Sequence, residues 1–207
     1  MIRTLVLDLD GVILKDPHGT SSLEGDLFKK AFSVSGDDFK KNFTKKFYKP
    51  CQVGEENTEF ALRKAAEQLN MKISGKHLLR WWLDNQQDSL TDLGKHLPSF
   101  RMPLYIATNQ DVSRWSYLNQ KFNFSSSISG AFVSGKIGYR KPDSRFYNYC
   151  QTIINNDFDC HRSEVLFVDD RLINTEAAQA YGWQSLSISQ SDQALEQVLS
   201  KLNIDKN

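Results

Sequence analysis

The sequence predicts an α/β protein, a doubly wound parallel sheet of the Rossmann-like kind with a helical insertion. Three observations predict it. Apolar runs rich in Val, Ile and Leu recur at residues 4–9, 104–107, 165–168 and 185–188, as in strands buried on both faces. Amphipathic segments lie between and after them, and strands alternating with helices imply parallel pairing. From about residue 23 to about residue 88 that alternation stops and only helical patterns remain.

The elements follow in chain order. The run at 4–9 is the first strand, and the insertion comes directly after it. Within the insertion, Leu62, Ala65, Ala66 and Leu69 share one helical face, and Ser74 is placed to cap a second helix carrying Leu78, Leu79, Trp82 and Leu83. Residues 39–50, FKKNFTKKFYKP, interleave lysines with aromatics. Stacking on single-stranded nucleic acid is one reading. A simpler one is an amphipathic helix with Phe39, Phe43 and Phe47 inward and the lysine stems outward. Trp81 and Trp82 are candidates to line a pocket, yet adjacent helix positions diverge by about 100°, so at least one packs the insertion.

After the second strand a helix is expected over 111–122. Another over 142–155 presents Phe146, Tyr149, Cys150, Ile153 and Ile154 on one face. A third spans 173–181 and ends at Gly182, and a fourth over 191–202 carries Leu195, Val198, Leu199 and Leu202.

Composition narrows the class. With 207 residues, 40% of them hydrophobic, and a formal charge of +1, the chain can bury one sizeable core. Its charge balance offers no global reason to expect nucleic acid or an anionic membrane as partner. Cys51, Cys150 and Cys160 have no CxxC spacing, and His18, His77, His96 and His161 share no ligand spacing. Neither a disulfide framework nor a zinc site is suggested. The apolar start, MIRTLVLDLDGVIL, is interrupted by Asp8 and Asp10, unlike a signal peptide, and no run reaches the length of a membrane span. A soluble, cytoplasmic protein is the expectation.

Polar residues cluster where the strands end. Asp8-Leu9-Asp10-Gly11 closes the first, Thr108-Asn109 the second, and Asp169-Asp170 the run at 165–168, while Lys141 precedes the helix leading to that pair. In open parallel sheets these carboxyl ends converge on a ligand crevice. Asp8 and Asp10, alternating along an extended segment, should leave on one face, and Gly11 permits a turn. Several carboxylates at one dry sheet edge require a counter-charge, and oxygen ligands suit a hard cation such as Mg²⁺. Each feature alone has a plainer explanation: a solvated turn, a helix cap at Asn109, a strand-end hydroxyl at Thr108, a solvated cation at Lys141 beside Arg140.

Asp8-Leu-Asp10-Gly-Val, Thr108-Asn109, Lys141-Pro142-Asp143 and Phe-Val-Asp169-Asp170 resemble, in order, the four motifs of the haloacid dehalogenase (HAD) superfamily. The pattern is most similar to its sugar-phosphate phosphatases and to the phosphatase domain of soluble epoxide hydrolase, with Asn174, Ala177 and Ala178 filling the positions after the last motif. The resemblance implies an α/β core at residues 1–16 and 91–207 and a helical cap at 17–90. It further implies Mg²⁺-dependent hydrolysis of a small phosphate monoester, sugar phosphates included. Asp8 would be the nucleophile and Asp10 the acid and base, which asks that its surroundings favour a bound proton. Thr108, Asn109 and Lys141 would hold the phosphoryl oxygens. Mg²⁺ would sit on Asp8, the Asp10 carbonyl and Asp170, with Asp169 reaching it through water.

Asp10 favours phosphate chemistry over dehalogenation, which needs no protonated leaving oxygen. A phosphomutase of the same family, a phosphoacceptor signalling module and a binding protein on a similar core remain open. Tyr139, Arg140 and Arg171 border the expected site, and oligomeric state is not legible.

Overall fold

The computed structural model describes residues 1–15, 21–86 and 88–203. Among these residues one sheet is built from five parallel strands: β1 (Thr4–Leu7), β2 (Leu104–Thr108), β3 (Gly130–Val133), β4 (Val165–Asp169) and β5 (Gln184–Ser187), in the spatial order β3-β2-β1-β4-β5. The chain winds outward from β1 through β2 to β3, then returns to the other side of β1 for β4 and β5. A crevice therefore opens at the carboxyl ends of β1 and β4.

Between β1 and β2 lie α1 (Gly25–Phe32), α2 (Gly36–Asn42), a π-helical stretch (Phe43–Tyr48), α3 (Lys49–Cys51), α4 (Thr58–Glu67), α5 (Gly75–Asp84) and α6 (Asp92–His96). The helices up to α5 enclose a core of their own, with Phe28, Phe39, Phe43, Leu62 and Trp82 fully buried in it. Ser74 caps α5 by accepting from the His77 amide at 3.2 Å. The expected boundary at residues 16–17, and His18, lie outside the described residues.

The remaining helices cover the sheet: α7 (Val112–Phe122), the short α8 (Ser134–Ile137), α9 (Ser144–Phe158), α10 (Leu172–Tyr181) and α11 (Ala194–Leu202). Every residue of β1, β2 and β4 is buried, and strand alternation sorts their side chains into two layers. Leu5, Leu7, Ile106 and Val168 pack with Leu93 of α6, Leu118 of α7 and Val198 of α11. Val6, Tyr105 and Phe167 pack on the other face with Phe146, Cys150 and Ile154 of α9 and Ala178 of α10.

Three sequence expectations change. Strand β3 is absent from the apolar runs because it is a half-exposed edge strand, GAFV, whose Gly130 leaves room for the Tyr105 ring. On α9 it is Tyr147, not Tyr149, that faces the core. Tyr147 is buried against Phe167 and Trp183 and donates to the Asn174 carbonyl at 2.8 Å, whereas Tyr149 is 45% exposed. In the basic run, Phe39 and Phe43 point inward as expected, but the π stretch shifts the register to i+5, so Tyr48 is buried and Phe47 only half-buried.

Candidate active site

Register sets the first contacts. Leu7 pairs with Ile106 and with Val168, so one residue further Asp8 stands level with Ala107 and Asp169. The chain then turns instead of continuing the strand: the Ile13 and Leu14 amides both donate to the Leu9 carbonyl, and Gly11 has a φ of 78°. Asp8 and Asp10 line the same pocket while Leu9 packs in the core layer of Leu5 and Leu7, as alternation predicts, and the turn begins beyond them. Gly11 is needed because a Cβ at that position would lie 2.7 Å from an Asp170 oxygen.

Lys141, whose peptide bond to Pro142 is cis, is 1% exposed. Its ammonium is 2.8 Å from Asp8 Oδ1 and donates to Asp169 Oδ2 at 2.6 Å and to the Ala107 carbonyl at 2.7 Å, using all three donors. The Asn109 side chain aims it, donating to the Lys141 carbonyl and accepting from the Lys141 amide, both at 2.9 Å. Asp169 also accepts from Asn174 Nδ2 at 2.9 and 3.0 Å and from the Arg171 amide at 2.9 Å. Its fully buried carboxylate is therefore surrounded by protein donors.

Carboxylate oxygens of Asp8, Asp169 and Asp170 lie within 4.8 Å of one another. Three carboxylates share one buried ammonium, with the Arg171 guanidinium also acting on Asp170, so negative charge is crowded at this edge. Burial first and Asp169 second push the Asp8 carboxyl well above the ordinary range, against the opposing pull of Lys141. Burial and Asp169 push Asp170 up to about 6. Burial opposes the charge on Lys141, but Asp169 and Asp8 outweigh it and raise its pKa. An all-oxygen donor set rich in carboxylate fits Mg²⁺.

Asp10 has side-chain donors of its own. Its two oxygens accept from Arg114 at 2.8 and 2.9 Å, and Oδ2 also accepts from Gln110 at 2.7 Å. Side chains of α7 and of the loop before it therefore hold this carboxylate in place.

Asp8, Asp10, Thr108, Asn109, Lys141 and Asp170 all line one pocket of about 410 Å³, joined by Gln52, Arg171 and Asn174. Asp169 stands behind it. Arg140 binds Gln52 and has its pKa lowered by burial and by nearby Arg171; Tyr139 is exposed beneath the Arg145 guanidinium. Trp81 and Trp82 do not line the pocket; both pack within the insertion, Trp81 edge-on to Phe28 and Phe32. His77 and His161 are exposed and His96 half-buried. The three cysteines are buried, and burial with Asp111 pushes the Cys51 thiol up to about 12.

Sequence reading missed Gln52, Gln110 and Arg114. The signal for Arg114 was a charged residue on the inward face of an amphipathic helix, beside Trp115 and Leu118. Gln52 and Gln110 carried none.

No family model matches the chain. The sesquiterpene phosphatase astK of Aspergillus oryzae is 31% identical over 102 residues, which are 49% of this chain and 50% of that protein. The drimenol cyclase drtB of Aspergillus calidoustus is 24% identical over 209 residues, 96% of this chain and 36% of that protein. The chain thus spans half or less of the length of these curated relatives. Among solved structures, a HAD family enzyme from Bacteroides thetaiotaomicron in complex with magnesium and inorganic phosphate superposes with a TM-score of 0.70 at 16% identity, over 90% of this chain and 94% of its own. With its five parallel strands, their flanking helices and this superposition, the chain has the fold of the HAD-family hydrolases.

Proposed function

We propose that the chain hydrolyses a phosphate monoester with Mg²⁺ as cofactor and Asp8 as nucleophile. The observation that carries this reading is the convergence of carboxylate oxygens of Asp8, Asp169 and Asp170, with Lys141 on Asp8. It is supported by the phosphatase relative and by the magnesium and phosphate held by the structural neighbour.

In the proposed reaction an Asp8 oxygen attacks phosphorus, the bond from phosphorus to the ester oxygen breaks, and that oxygen leaves with a proton from Asp10. Water then attacks the aspartyl-phosphate, its proton passes to Asp10, and the bond to Asp8 breaks to release phosphate. Thr108 and the Asn109 amide hold non-transferring oxygens, and Lys141 offsets charge on Asp8 and the phosphoryl group. Asp8, Asp170 and the Asp10 carbonyl would hold Mg²⁺, while Asp169, whose acceptor directions are taken by Lys141, Asn174 and the Arg171 amide, would add negative charge from behind in place of the water-bridged role expected for it. When bound, the ion offsets repulsion between the carboxylate nucleophile and the phosphate.

We further infer that the helical insertion acts as a cap. Gln52 reaches from it into the pocket and donates to the Asn109 carbonyl at 2.8 Å, while Tyr48 and Thr58 donate to Asp111 at 2.9 Å each. An ester of an apolar alcohol is favoured over a sugar phosphate by the sesquiterpene phosphatase relative and by Leu172 and Ile173. These are 61% and 54% exposed between the pocket residues Arg171 and Asn174.

Hydrolysis of p-nitrophenyl phosphate with and without Mg²⁺ tests the reaction, and a panel of terpenyl and sugar phosphates tests the substrate. The wild type should turn over only with the ion, and Asp8→Asn should be folded and inactive. Substantial turnover by Asp8→Asn would remove the nucleophile assignment.

A further inference from the structure

Asp10 lines the pocket, but the side chain that matches its charge does not. Arg114, on the first turn of α7, is 1% exposed. Its Nη1 donates to Asp10 Oδ2 at 2.8 Å and its Nη2 to Asp10 Oδ1 at 2.9 Å, a two-pronged grip that fixes the plane of the carboxylate. Its Nε donates to Gln86 at 2.9 Å, and Nη2 also reaches Asp88 at 3.4 Å. Gln86 and Asp88 belong to the segment that carries the chain from α5 back to α6. One side chain therefore joins the pocket, α7 and the return path of the insertion.

Stability alone is a poor account of this arrangement, because apolar residues of similar volume commonly serve as well as a buried ion pair. What a guanidinium offers here is geometry. A carboxylate has roughly four lone-pair directions, and Asp10 accepts twice on Oδ2, from Arg114 and Gln110, but once on Oδ1. The open direction is on Oδ1. Lysine, a point charge, would not impose that choice.

We propose that Arg114 is the positioning residue for Asp10, fixing the carboxylate so that Oδ1 meets the leaving oxygen, and that its bonds to Gln86 and Asp88 tie this orientation to the placement of the insertion. The proposal rests on the phosphatase reading, in which Asp10 protonates the leaving group.

Leaving-group dependence tests it. p-Nitrophenol departs readily as its anion, whereas an alkyl alcohol needs the proton. In Arg114→Met, kcat/KM on n-butyl phosphate, which reports formation of the aspartyl-phosphate and not its hydrolysis, should fall about a hundredfold or more, while kcat/KM on p-nitrophenyl phosphate changes by less than about tenfold. Arg114→Lys, which keeps the charge without the fork, should show the same selectivity more weakly. Arg114→Met combined with Asp10→Asn should be no slower than Asp10→Asn alone.

Equal losses on both esters, or losses that multiply in the double variant, would overturn the proposal. If Arg114→Met does not fold, Arg114→Lys is read in its place, and failure of both to fold would assign Arg114 a structural role and overturn it too. Wild-type protein that hydrolyses neither ester would instead contradict the phosphatase reading, and the clamp with it.

Discussion

Each proton of the Lys141 ammonium has a buried acceptor, so the residue joins β1, β2 and β4 at their carboxyl ends through Asp8, the Ala107 carbonyl and Asp169. Removing the charge leaves Asp8 and Asp169 facing each other without compensation. Lys141→Met should therefore lose activity and also about 3–5 kcal/mol of stability, measured by denaturant unfolding. A loss below about 1 kcal/mol would mean that the pair is solvated. That Asp8, Lys141 and Asp170 gather in one pocket was legible, because the carboxyl ends of parallel strands and the loops beside them converge. Pairings were not legible, because they depend on which helix faces which strand. Asn109, expected to offer its amide, also uses its side chain to fasten Lys141, and Asp10 is paired with Arg114 from more than a hundred positions away.

At the scale of elements, α7 is where the insertion meets the core. Asp111 caps it by accepting from the Ser113 and Arg114 amides at 2.9 and 3.1 Å, and the same carboxylate receives Tyr48 and Thr58 from the insertion. Tyr48→Phe removes one of these donors and leaves a buried acceptor short, a cost of about 1–3 kcal/mol. A thermal midpoint lowered by several degrees is expected, and an unchanged midpoint would show that the contact contributes nothing to stability. Central strands and long amphipathic helices could be read from the sequence because burial on both faces or on one face leaves a periodic trace. Strand β3 left no such trace, since Gly130 and Ala131 accommodate the packing of others. The π stretch was illegible for a different reason: hydrogen-bond register, not residue type, decides whether Phe47 or Tyr48 turns inward.

Across the whole molecule a near-neutral formal charge of +1 conceals a local excess of negative charge at the carboxyl edge of the sheet. Among the described residues no helix is long and apolar enough to cross a membrane. The local excess predicts a linkage between pH and the cation. Asp170 has its pKa raised from 3.8 to about 6, so the folded state holds that proton more tightly than the unfolded chain. Its contribution to stability falls as pH rises from about 4 to about 6 and is unfavourable above that window. Mg²⁺ requires the ionised carboxylate. It should therefore raise the thermal midpoint strongly at about pH 7.5 and weakly at about pH 5, as read by calorimetry. Equal effects at both pH values would mean that Asp170 does not take part in binding the ion.

In the proposed reaction the phosphoryl group is transferred to Asp8 itself. Trapping tests it most directly: the enzyme is quenched during turnover of p-nitrophenyl phosphate, treated with borohydride, which reduces an acyl phosphate to the alcohol, and mapped by peptide mass spectrometry. Conversion of residue 8 to homoserine is the predicted result. An unmodified Asp8 in an enzyme that is turning over, or conversion at any other carboxylate, would contradict it.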